Sequence, residues 1–108
     1  MVNRGENMPA GADNRFINIR NRISNTYNGI SNVPTLYSHL DVLTNTDIIV
    51  IRDMNNWAEG LGMLDAFSTQ FPNKTKHLHL YNTHLNNDLL NKIITLTTQL
   101  TITLTIEQ

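Results

Sequence analysis

The side chains best suited to chemistry are crowded into the run Lys76-His77-Leu78-His79-Leu80-Tyr81-Asn82-Thr83-His84-Leu85. On an extended strand His77 and His79 share a face, and His84 follows in the next turn, a spacing compatible with a His-x-His zinc site and a third ligand. Such a centre would carry metal-assisted hydrolysis through a water in its open fourth position. No Glu or Asp stands close in sequence to act as general base. His-x-His on a strand is also commonly a solvent-facing pair, so the expectation is no catalytic residue, no metal and no cofactor, with a small zinc hydrolase as the alternative.

Three carboxylates, Asp53, Glu59 and Asp65, flank the loop that holds Trp57. They could be imagined as an acid and base pair, but Asp65 falls in a first helical turn, where the helix dipole alone favours a negative charge. Trp57 either anchors a partner or folds back on the core, and the core is the stronger reading. Gly60-Leu61-Gly62 lacks the third glycine and the Lys-Ser/Thr pair of a phosphate loop, and Asn73-Lys74-Thr75 is a sequon of consequence only in a secreted chain.

The elements that must hold the histidines are set by the leucines between them. Leu78 and Leu80 alternate with His77, His79 and Tyr81, the pattern of a strand with one face inward. Leu85 extends this to Leu-x-Leu-x-x-Thr-x-Leu, with Thr83 at the turn position. The motif resembles the leucine-rich repeat of the long intracellular, ribonuclease-inhibitor-like kind, in which each strand is followed by a helix. Spacing supports the likeness. Leu36, Leu43 and Val50 precede Leu64, Phe71 and Leu78 by 28 residues, and Leu64, Phe67, Leu78 and Leu80 precede Leu90, Ile93, Leu104 and Ile106 by 26. The resemblance implies an α/β solenoid with a three-stranded parallel sheet, helices on the convex side and an N-terminal helical cap. A three-layer or two-layer α/β domain with strand order 2-1-3 is the competing architecture.

Taken in order, residues 1–12 read as a flexible arm, 13–32 as a capping helix and 33–108 as the repeat-like β/α module. Phe16, Ile19, Ile23 and Tyr27 predict a helix over 14–28 that Gly29 ends. Pro34 opens a second helix with Leu36, Leu40 and Leu43 on its buried face. A strand at 47–52 follows, then a helix with Leu64, Phe67 and Phe71, the strand at 77–81, a helix with Leu89 or Leu90, Ile93 and Leu96, and a last strand at 101–106.

A chain of 108 residues supports one domain, and its 40% hydrophobic and 16% charged content is that of a soluble globular protein. A net charge of −1 supplies no field for nucleic acid or an anionic membrane. Residues 1–32 carry Arg4, Arg15, Arg20 and Arg22 against Glu6 and Asp13, which leaves an RNA-associated subunit of a ribonucleoprotein as a second alternative. The chain has no cysteine, and its longest apolar run, Ile48 to Ile51, cannot span a bilayer. An intracellular, cytoplasmic setting follows as the expectation. The functional reading is a non-enzymatic protein-protein interaction module, an adaptor or subunit of a larger assembly. Its contact surface would be Arg52, His77, His79, Tyr81, Thr103 and Thr105, the outward positions of the strands. The strongly β-prone last strand would pair with a protein partner or a second copy.

Overall fold

A computed structural model describes residues 14–108; the expected arm at 1–12 lies outside them. The first element, α1 (Asn14–Thr26), buries Phe16, Ile19 and Ile23 at three- and four-residue steps. It is closed by Asn28 in the left-handed region (φ 56°), after which the Gly29 amide donates to the Ser24 carbonyl at 2.8 Å. Gly29 is needed for closeness: a Cβ there would meet Val42 Cγ1 at 2.8 Å and the Leu43 carbonyl oxygen at 2.9 Å.

The helix expected from Pro34 does not form. Its place is taken by a hairpin, β1 (Ile30–Pro34) and β2 (His39–Leu43), paired antiparallel from Ile30↔Leu43 to Pro34↔His39. The Thr35 hydroxyl organises the turn, accepting from the Tyr37 and Ser38 amides and donating to the Ser38 carbonyl. Leu36, counted as core in the helical reading, stands 84% exposed at the tip.

A second hairpin joins β2 to β3 (Asp47–Asp53), the Thr44 hydroxyl accepting the Thr46 and Asp47 amides. Ile48, Ile49, Val50 and Ile51 are all fully buried, because both faces of β3 are covered. From here the chain alternates: a short 3-10 turn (Met54–Asn56), α2 (Trp57–Gln70), β4 (Thr75–Tyr81), a second 3-10 turn (Thr83–Leu85), α3 (Asn87–Gln99) and β5 (Thr103–Ile106). Gly60 lets α2 settle on β4, where an added Cβ would lie 2.7 Å from Leu78 Cδ1. The Asn86 side chain caps α3 through the Leu89 amide at 3.0 Å. Thr101, at φ 58°, turns the chain into β5.

Among the described residues five strands form one mixed sheet in the order β1-β2-β3-β4-β5, antiparallel up to β3 and parallel beyond it. Ile48, Val50, Leu78 and Leu80 pack with Leu64, Phe67 and Ile93 of α2 and α3 on one face; Val42, Ile49 and Ile51 pack with Phe16, Ile19 and Ile23 of α1 on the other. The solenoid with a three-stranded parallel sheet is therefore incorrect. The layering is that of a three-layer α/β domain, with strands in sequential order instead of 2-1-3, and the face that a repeat array would leave open carries a helix.

Candidate functional site

Parallel register decides which side chains share the α1 face. Ile49 pairs with His77 and Ile51 with His79, while His77 pairs with Thr103 and His79 with Thr105. The imidazoles therefore lie on the same face as Ile49 and Ile51, under the end of α1, and are only 2% and 4% exposed. This corrects the expectation of an open histidine face.

Buried polar groups must find partners, and these form one chain. Asp47 Oδ2 lies 3.0 Å from His77 Nδ1, and His77 Nε2 lies 2.8 Å from Thr105 Oγ1. The same hydroxyl lies 2.7 Å from His79 Nδ1, whose Nε2 lies 2.7 Å from Glu107 Oε1. Arg22 of α1 donates to both Glu107 oxygens, at 2.7 and 2.8 Å. Tyr27 closes the other end, its ring edge-on to His77 with centroids 5.5 Å apart. Burial lowers the pKa of both histidines, against the pull of Asp47 on His77 and of Glu107 on His79. Burial works to raise Glu107, but hydrogen bonds from Arg22 and His79 outweigh it and hold the carboxyl below its ordinary range.

Asp47, His77 and Thr105 have the connectivity of an acid, base and nucleophile. The hydroxyl is, however, also bonded by His79, and the His77 ring is sealed. What the arrangement can do is hold and relay a proton inside the fold.

The six residues expected on one contact surface do not share a face. Arg52 pairs in register with Leu80, so it points toward α2, where it meets Asp41 at 3.0 Å and Glu59 at 2.7 Å. Burial raises the Asp41 pKa against the attraction of Arg52 and a hydrogen bond from the Ile51 amide. Tyr81 is half-buried beneath Arg15, whose guanidinium carbon sits 5.1 Å from the ring centroid. Thr103 is exposed and Thr105 half-buried. His84 is exposed in the second 3-10 turn. Among the described residues no group of three His, Cys, Asp or Glu is placed to hold a metal ion, so the His77, His79 and His84 zinc site does not assemble. The carboxylates around Trp57 have structural partners: Asp53 caps the first 3-10 turn, Glu59 pairs with Arg52 and Asp65 with Lys76, while Trp57 packs on the core. Asp47 and Glu107 were the residues sequence reasoning missed. Their signal was weak, since each flanks a strand far from the histidines.

No protein-family model matches the chain, and no solved structure matches it. Three proteins of Acanthamoeba polyphaga mimivirus do. The chain resembles KilA-N domain-containing proteins. One relative so named is 29% identical over 88 residues, covering 82% of this chain and 24% of the relative. A second is 33% identical over 85 residues, covering 79% of this chain and 34% of the relative. A third is 35% identical over 63 residues, covering 57% and 17%. The chain thus spans only a quarter to a third of the first two relatives, and their name belongs to the whole of each. These likenesses overturn the leucine-rich-repeat resemblance, as the mixed sheet does independently.

Proposed function

We propose that the chain is a non-enzymatic interaction module that binds a protein partner by strand addition to the outer edge of β5, as an adaptor or subunit of a larger assembly. One observation carries this reading: β5 is the last strand of the sheet, its Thr-Leu-Thr-Ile sequence has no charge and no proline, and no strand among the described residues pairs with its outer side. The opposite edge is guarded. In β1, Pro34 removes a donor and Asn32, at φ 57°, breaks the regular ladder. Beside β5, the second 3-10 turn, α3 and its exit expose Leu85, Ile94 and Leu100, and Ile106 of the strand itself is 45% exposed. An intracellular, cytoplasmic setting belongs to the same reading.

The likeness to KilA-N domain-containing proteins supports a second reading, nucleic-acid binding. The charges favour it less. Among the described residues Arg22, Arg52 and Lys76 are paired with carboxylates, and Lys74 donates to the Thr44 and Asn45 carbonyls, so these four basic groups are already engaged within the fold.

A photo-crosslinking residue at the exposed Thr103 position, introduced in cells of the source, separates the two. The expected result is a protein adduct that Ile106→Lys weakens and Leu36→Lys leaves intact. An adduct with nucleic acid, or a protein adduct indifferent to Ile106→Lys, would overturn edge docking.

A further inference from the structure

We propose that His77 and His79 titrate as one unit: they hold a single extra proton between them, and only then is every hydrogen bond from Asp47 through Thr105 to Glu107 formed. The argument is a count of protons. The chain has four contacts, Asp47 to His77, His77 to Thr105, Thr105 to His79 and His79 to Glu107, each within hydrogen-bond distance and each needing one proton. Ionised Asp47 and Glu107 bring none, each neutral imidazole brings one and the Thr105 hydroxyl brings one. Three protons cannot serve four contacts. Asp47 fixes N–H at His77 Nδ1, and Glu107 fixes it at His79 Nε2. Both remaining ring nitrogens then turn lone pairs toward Thr105 Oγ1, whose one hydrogen satisfies only one of them.

A proton added to either ring resolves the conflict. That ring now donates to a Thr105 lone pair, and the hydroxyl hydrogen turns to the other ring. A second proton undoes the gain, because it leaves the hydroxyl hydrogen without a ring acceptor and sets two imidazolium charges one hydroxyl apart. The two uptakes are therefore well separated.

The surrounding charges choose the ring. On α1, Arg22 neutralises Glu107 and its charge opposes a proton on His79; Arg15 lies over Tyr81, and Arg20 is felt at Asp41. Tyr27 meets His77 by a ring edge. On β2, Asp41 is paired with Arg52, and on β3, Asp53 is engaged with Asn82. Asp47 faces only His77 among the described ion pairs, so the first proton belongs on His77. Burial depresses both rings, which places this uptake below the ordinary imidazole range. The result is a one-proton latch tying β3, β4 and β5 to α1 through Glu107 and Arg22.

The test is a pH titration of the folded chain followed by imidazole nitrogen NMR. In the first step His77 takes the imidazolium pattern while His79 stays a neutral Nε2–H tautomer, and a second step comes at distinctly lower pH. Thr105→Val moves the first step to lower pH, and Thr105→Ser leaves it in place. Rings that stay neutral wherever the chain is folded, rings that charge together in one step, or a first step unmoved in Thr105→Val would each overturn the proposal. The wild-type titration decides it even where the valine variant fails to fold.

Discussion

Replacing His79 by alanine tests whether α1 covers the sheet over β4. Leu78 and His79 are neighbours on one strand with opposite faces, 0% and 4% exposed. Leu78→Ala opens a cavity among α2 and α3 and should cost about 2–5 kcal/mol. His79→Ala loses the contacts to Thr105 and Glu107 and empties a ring-sized space under α1, but Glu107 keeps Arg22, so no charge is orphaned. A loss of about 2–4 kcal/mol follows from the cavity and the two hydrogen bonds. The two variants differ in pH dependence. The folded pKa values of His77 and His79 lie below the ordinary 6.5, so between them and 6.5 the unfolded chain binds more protons than the folded one. Their contribution is fully present above 6.5 and is lost as pH falls through the folded values, at up to about 1.4 kcal/mol per pH unit for each proton. Urea unfolding at several pH values should show Leu78→Ala parallel to wild type and His79→Ala with a shallower loss in acid. A cost for His79→Ala below about 0.5 kcal/mol, the range of ordinary surface changes, would refute the covered face.

Two further outcomes follow from the backbone and from Asp41. Thr101 is a β-branched residue in the left-handed region, so Thr101→Gly should stabilise the fold by about 1 kcal/mol, read as a rise in Tm; a fall would mean its side chain matters more than its φ. The Asp41 pKa is raised, so its ionisation costs stability as pH rises from the unfolded value of about 3.9 toward the folded one. Asp41→Asn keeps an acceptor for the Ile51 amide and should be close to neutral at pH 7, whereas Asp41→Leu leaves that amide unsatisfied and should cost about 1–3 kcal/mol. Equal urea midpoints for the two variants would contradict this.

What could be read from the chain was whatever a local period encodes. Phe16, Ile19 and Ile23 marked α1, the unbroken Ile48–Ile51 run marked a strand covered on both sides, and Leu78 and Leu80 marked β4. The hairpin at 30–43 was misread because Leu36, Leu40 and Leu43 keep a helical spacing, and the turn that breaks it is held by the Thr35 hydroxyl and amide together with contacts from Leu36 and Tyr37 to α2. Asparagine carried more information than its abundance implied, since among the described residues Asn28, Asn32 and Asn82 hold three of the four left-handed positions outside glycine. The histidine site was half legible. The alternation placed His77 and His79 on one face, but what covers that face is a tertiary fact that no local pattern contains.

That covering explains why the leucine spacing pointed to the wrong fold. A strand, a short turn, a helix and a return loop occupy nearly the same length at each crossover, so two successive crossovers in one direction reproduce a period of 26 to 28 residues whether or not the units are repeats. The discriminating feature lies on the other face of the sheet. A repeat array keeps that face open, whereas α1 here carries two distinct surfaces. Its Phe16, Ile19 and Ile23 need Val42, Ile49 and Ile51, and its Arg15, Arg22 and the following Tyr27 reach Tyr81, Glu107 and His77. Because α1 seals the apolar half of the face and tethers the polar half, the histidines became a buried network.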